Sequence, residues 1–186
     1  AFDFDAYRDG LQTPVFFGSA DNENGVQRLM KALRHEAPSV DKTAARRGID
    51  VNAGPQVQVF KTQYVGQSGK MSLARVWTGE VGDGMHLGQD RVGGISALLG
   101  RKTSRVQSVP AGAVAALGRM SAAATGDLLA EGKTARADWP AAPVPLYSYA
   151  IEAAHQKDEV KLSAALAKMS EEDPSRIAGP NPETGE

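Results

Sequence analysis

Two stretches of the chain hold residue types whose spacing could do phosphate chemistry. Gly66-Gln-Ser-Gly-Lys-Met-Ser72 contains a Gly-Lys pair of the kind that cradles phosphates. A complete phosphate loop needs a glycine five residues before the one that adjoins that lysine, a hydroxyl residue directly after the lysine, and a helix to follow. Here Met71 follows Lys70 and the next run is strand-like, so the stretch reads as a hairpin turn. Asp90-Arg-Val-Gly93 fits the Asp-x-x-Gly pattern that reads magnesium and γ-phosphate, but without an upstream phosphate loop the match carries no site. No complete nucleotide site is present.

Other catalytic constellations are as sparse. The chain has no cysteine, which excludes thiolate metal sites, disulfides and cysteine nucleophiles. His35, His86 and His155 lie far apart, and no zinc-type spacing, metal set or local catalytic arrangement passes through them. What remains is a local excess of cations, Arg91, Arg101, Lys102 and Arg105, in a chain of formal net charge -1. Cations on loops suit a phosphate backbone; the same four residues also read as scattered solvated surface. Arg46-Arg47 reads as solvated linker charge, and Arg75 as a strand residue whose stem packs over a barrel.

The elements that must position these residues divide by glycine. The 186 residues are 41% hydrophobic and 23% charged, a soluble globular composition of one to two domains, with no long apolar run and no signal peptide; a cytoplasmic setting is the default. Fourteen of the 20 glycines fall between Gly54 and Gly132. There, Gln56 to Val65 and Met71 to Thr78 alternate with period two across the turn at Gly66 to Gly69, and brief apolar runs between further glycines imply many short strands of a closed or nearly closed β-barrel.

The flanks read differently. Thr13 to Ala20 suits a buried strand, followed by a helix with Val26, Leu29, Met30 and Leu33 on one face, Asn24 as N-cap and Gln27 completing a capping box. Residues 1–38 are too few to bury a core of their own. Residues 39–54 show no period and read as a linker. Trp139-Pro140-Ala-Ala-Pro-Val-Pro145 reads as a second connector. Leu146 to Glu152 reads as a strand, and Asp158 caps a helix that runs to about Glu172 and is stopped by Pro174. The chain therefore reads as one whole barrel between two partial domains, as though cut at both ends.

Pro14-Val-Phe-Phe-Gly-Ser-Ala20 with Asn24-Gly-Val-Gln-Arg-Leu29 resembles the end of the GTP-binding domain of elongation-factor-G-type translation factors. Gly69-Lys-Met-Ser-Leu-Ala-Arg-Val-Trp-Thr-Gly79 with Gly84-Met-His-Leu87 resembles the first half of that family's second domain, and Ala111 to Leu117 with Thr125 to Leu129 its closing strands. Ile151-Glu152, Asp158 to Leu162, Leu166 and Glu171-Glu-Asp-Pro-Ser175 are similar to the opening of its third domain. The four matches follow the family's order and cover nearly the whole chain. The sequence departs from the family at Asp21-Asn22-Glu23, where Lys-rich loops are common, and at the irregular stretch Thr134 to Ala142.

The resemblance implies a mainly β protein: the end of a phosphate-loop GTPase domain at 1–38, a linker at 39–54, a translation-factor-type β-barrel at 55–138, a connector at 139–145, and the start of a ferredoxin-like third domain at 146–186. It implies a parent that binds GTP with magnesium and acts on the ribosome in translocation or a related step, its barrel touching small-subunit ribosomal RNA. The four cations are the candidates for that contact. Ser19 and Ala20 fall on the fifth guanine-nucleotide motif, whose backbone amides lie near the base. With the other motifs absent from these residues, the segment is expected to hydrolyse no GTP and to be monomeric. A ribosomal-protection or release-factor relative, a free-standing β-barrel binding module and a self-contained enzyme are the rival readings; no paired carboxylate or Ser/His arrangement supports the last.

Overall fold

The computed structural model describes residues 2–66, 69–100, 102–136 and 139–179. It divides into two compact units between Ala53 and Gly54.

In the first unit, Asp3 accepts from the N–H groups of Asp5 and Ala6 and so opens helix α1 (Phe4–Arg8). Helix α2 (Val26–His35) carries the apolar stripe expected of it, but its N-cap is Gly25 in the left-handed conformation, without a side-chain cap. Asn24 cannot serve: its carbonyl accepts from Ser19 N–H at 3.0 Å, and a Cβ at position 25 would meet Phe17 O at 2.5 Å. Helix α3 (Val40–Arg46), capped by Ser39, occupies part of the stretch read as linker. The run at 13–20 is not a strand; Ser19 and Asn24 form only an isolated bridge. Among the described residues this unit buries only Ala32, Ala44 and Ile49 as apolar side chains, while Val26, Leu29, Met30 and Leu33 remain exposed.

The second unit is mainly β. Strands β1 (Gln56–Val65) and β2 (Gly69–Thr78) form the expected hairpin, with the turn residues 67 and 68 outside the described residues. A bulge at Phe60 shifts the register between Val59 and Lys61, reversing the alternation so that Val57 and Val59 and then Thr62, rather than Lys61, are buried. The other strands are β3 (Glu80–Gly82), β4 (His86–Leu87), β5 (Asp90–Arg91), β6 (Ile95–Leu99), β7 (Lys102–Val106), β8 (Ser108–Pro110), β9 (Val114–Gly118), β10 (Asp127–Ala130) and β11 (Lys133–Arg136). Seven of them make one antiparallel sheet in the order β11-β10-β1-β2-β9-β6-β7. Among the described residues no ladder joins β11 to β7, so the ring is not closed by strand pairing. Two short ribbons, β3-β8 and β4-β5, complete the core instead: Val81, Val109, Leu87 and Val92 bury against Val57, Val59, Val76, Ile95, Leu117 and Leu129. Arg75 does extend from β2 over its neighbour, its guanidinium 5.5 Å from the Trp77 ring centroid.

Residues 139–154, expected to hold a strand at 146–152, take no regular structure; among the described residues no strand pairs with them. A 3₁₀ turn (Gln156–Asp158) leads into helix α4 (Glu159–Glu172), which has the expected N-cap position and end. No residue of α4 is buried. Polar contacts hold its last turns to the β1-β2 hairpin: the Tyr64 hydroxyl donates to Glu171 Oε2 at 2.7 Å, Tyr64 N–H donates to Glu172 Oε1, and Lys70 Nζ lies 3.0 Å from Glu171 Oε2. Lys168 Nζ sits 5.4 Å from the Tyr64 ring centroid.

Candidate functional site

One meeting of charged side chains on the β unit lies where the two ribbons meet the end of β9. A cleft of about 440 Å³ is lined by Asp83, Gly84, Arg91, Gly93, Arg105 and Arg119, and a neighbouring one of about 390 Å³ shares Gly93, Arg105 and Arg119. Arg91 comes from β5, Arg105 from β7 and Arg119 from the turn after β9. Local backbone pairing fixes these pieces: Gly84 N–H donates to Val92 O, Gly93 N–H to Gly118 O and Gly118 N–H to Gly94 O, each at 2.9 Å.

Each guanidinium is held differently. Arg91 Nε donates to Gly84 O at 2.9 Å. Arg105 pairs with Asp83 at 3.3 Å, its own side chain 73% exposed. Arg119 adopts φ 60°, a left-handed conformation costly for a residue with a Cβ, and its stem crosses Gly93. Asp83 is also fixed from the backbone, accepting from Gly94 N–H at 2.8 Å. That N–H and the Arg105 guanidinium hold the Asp83 carboxyl below its ordinary range, outweighing its partial desolvation. Three guanidinium groups against one carboxylate leave the cleft two charges positive. Forked guanidinium donors of this kind suit an oxyanion.

The structure therefore brings together Arg91 and Arg105 of the four cations singled out from sequence. Lys102 is exposed at the far end of β7 and does not line the cleft, and Arg101 lies outside the described residues. Arg119 is the member that sequence reasoning misses. Its only sequence signal is a cation directly after the Gly that ends a strand, and its position depends on a turn geometry that local pattern does not encode.

The two lookalike phosphate motifs have structural roles. Lys70 Nζ donates to Ser121 O at 2.9 Å as well as pairing with Glu171. Asp90 Oδ1 accepts from Ser121 Oγ at 3.0 Å, and its Oδ2 from the N–H groups of Ala122 and Ala123 at 2.8 and 3.2 Å. Both side chains pin the turn that carries Arg119. In the first unit, Ser19 is half-buried and Ala20 exposed. Of the two amides that the resemblance places beside a guanine base, that of Ser19 is committed to Asn24 O.

An antiparallel sheet closed over by short ribbons, with cations gathered on its turns and an extended segment and helix behind it, defines a β domain of translation-factor type. Residues 142–186 match the family model described as elongation factor G, domain III. The chain is 39% identical over 178 residues to an elongation factor G-like protein of Synechocystis sp., and 33% identical over 196 residues to elongation factor G of Fervidobacterium nodosum. Each similarity covers 95% of this chain, but only 26% and 28% of those two proteins. A crystal structure of a Thermus thermophilus protein superposes with a TM-score of 0.78 at 27% identity, covering 98% of this chain and 28% of that one. These matches support an elongation factor G-type segment, and the chain spans about a quarter of the length of those relatives. Among the described residues no helix is long and apolar enough to cross a membrane.

Proposed function

We propose that this segment presents a phosphate-binding face to small-subunit ribosomal RNA within a GTP-dependent translation factor that drives translocation or a related ribosomal step. The observation that carries the reading is the convergence of Arg91, Arg105 and Arg119 on one cleft of net positive charge. RNA helices display phosphates and sugar hydroxyls to a protein surface, and guanidinium forks on a rigid sheet recognise them without a base code. GTP and magnesium belong to the whole factor. The 186 residues contain no phosphate-loop sequence, so the chemistry assigned to this segment is docking and orientation. Ala20 is its remaining contribution to the guanine side.

The reading is tested by co-sedimentation of the chain with small ribosomal subunits over a salt series. The chain is expected to pellet with the subunits at low salt and to release as salt rises, with Arg91→Ala/Arg105→Ala/Arg119→Ala losing most of the binding. Retention of the triple variant at the parent's level would remove the cleft from the interface. The same preparation is expected to turn over no measurable GTP.

A further inference from the structure

We propose that Lys70 is a positioning residue for Arg119, and that docking of α4 through Glu171 sets Lys70; the inference rests on reading the cleft as a phosphate site. The connection is a short series of direct contacts. Glu171 Oε2 lies 3.0 Å from Lys70 Nζ, and Lys70 Nζ lies 2.9 Å from Ser121 O, two residues beyond Arg119.

Three features give this series two states. First, Arg119 at φ 60° is held in a conformation its own backbone disfavours, so it persists only while the surrounding turn over-determines it. Asp90, the buried Met120 and Lys70 are the surroundings that do so. Second, the Lys70 side chain is only 14% exposed. With most of that side chain covered, an anion beside the ammonium holds it in place, and Glu171 supplies it. Without Glu171 the ammonium regains hydration by turning outward, and Ser121 O loses its donor. Third, no α4 residue is buried, so the helix is held to the hairpin largely by hydrogen bonds and ion pairs rather than by a core. Such a joint opens more readily than a packed one. An open α4 thus releases Lys70, and with it one of the restraints on Arg119. By linkage, an oxyanion that selects the ordered Arg119 favours the docked helix in return.

Glu171→Gln in the whole 186-residue chain tests this with an unusual sign. Removing a negative charge should strengthen binding to a polyanion if only the overall field matters. Positioning predicts the reverse: affinity for a duplex RNA oligonucleotide falls roughly fivefold. Lys70→Met should fall to a similar degree and Lys70→Arg should restore binding. In an Arg119→Ala background Glu171→Gln should add nothing. Hydrogen exchange supplies a readout independent of RNA: the Ala122 and Ala123 amides should exchange faster in Glu171→Gln, with thermal unfolding checking that the sheet is intact. An affinity that rises or stays level overturns the inference. Should the parent chain bind no RNA, the proposed function fails by itself, and unchanged exchange at Ala122 and Ala123 would then overturn the positioning role as well.

Discussion

The stem of Arg119 lies across the bare α-carbon of Gly93, where an added Cβ would meet Arg119 Cδ at 2.2 Å and Cγ at 2.7 Å. The backbone opposite closes in the same way, since a Cβ on Gly118 would meet Gly93 O at 2.9 Å. These two glycines allow a strand end and a guanidinium stem to share a space that any side chain would fill. Gly93→Ala is therefore expected to cost about 1–3 kcal/mol by overpacking and to swing Arg119 out of the cleft. Thermal unfolding measures the first effect and RNA titration the second; a variant matching the parent in both would show that the contact is idle.

Asp90 gives a second prediction, because its carboxylate accepts from one hydroxyl and two backbone N–H groups of the turn at 121–123. Removing it leaves the part-buried Ala123 N–H without that acceptor. Asp90→Ala is expected to lose about 2–3 kcal/mol, the range for a charged acceptor whose donors stay behind. Asp90→Asn, which keeps one carbonyl oxygen, should lose less. Chemical denaturation of the two variants checks the order, and equal losses would contradict it.

A third prediction concerns pH. Partial desolvation, and after it the hydrogen bond to Glu171, pushes the Tyr64 phenol up from 10.0 to about 12. A folded-state value above the unfolded one means that folding favours the protonated phenol. The contribution is complete below about pH 10 and is lost as pH rises from there toward 12. Between those values stability should fall with pH in the parent and less in Tyr64→Phe. Ultraviolet titration of tyrosinate should show one late phenol in the parent that is absent from the variant. Glu171 works at the other end of the scale. Burial pushes its carboxyl up, but the Tyr64 hydroxyl and the Lys70 ammonium outweigh burial and leave it below the ordinary range. Its contribution is present above the ordinary carboxylate value and is lost only as pH falls through the lowered one.

What the sequence shows and hides follows from how local each feature is. The β1-β2 hairpin is legible because its alternation and its glycine turn lie within 23 consecutive residues, Gln56 to Thr78. The bulge at Phe60 is not, since the residue that drops out of register is chosen by the partner strand. Helix α2 shows its face through Val26, Leu29, Met30 and Leu33, yet its cap moves to Gly25 because the Asn24 carbonyl is engaged by Ser19. Helix α3 buries only Ala44, and a helix that hides one alanine prints no hydrophobic period. Residues 146–152 have strand-like composition, but a strand also needs a partner to complete its hydrogen bonds. Arg119 is hidden for the same reason as the bulge: three elements distant in sequence decide where its guanidinium lies.

The placement of the cations separates two versions of the proposed RNA contact. Sequence points to the run at 101–105 with Arg91, whereas the structure joins Arg91 and Arg105 to Arg119 and leaves Lys102 exposed three residues from Arg105 along β7. Three strand residues span about 10 Å, about one Debye length at moderate salt, so Lys102 can add to the general field without sharing the same phosphate. Each cation that displaces a counterion contributes roughly one unit to the slope of log affinity against log salt. Arg91→Ala, Arg105→Ala and Arg119→Ala should each flatten that slope by about one unit. Lys102→Ala should lower affinity slightly at low salt and leave the slope almost unchanged. The Arg105 variant carries an extra signature: Asp83 loses its ion-pair partner but keeps the Gly94 N–H, so its carboxylate then offsets more of the cleft's remaining positive charge. Arg105→Ala should accordingly weaken RNA binding more than Arg91→Ala, and Asp83→Asn added to it should recover part of the loss. Fluorescence titrations of a duplex RNA oligonucleotide over a salt series read all of these. A Lys102 slope change equal to that of Arg119 would shift the interface from the cleft to the tip of the β6-β7 hairpin.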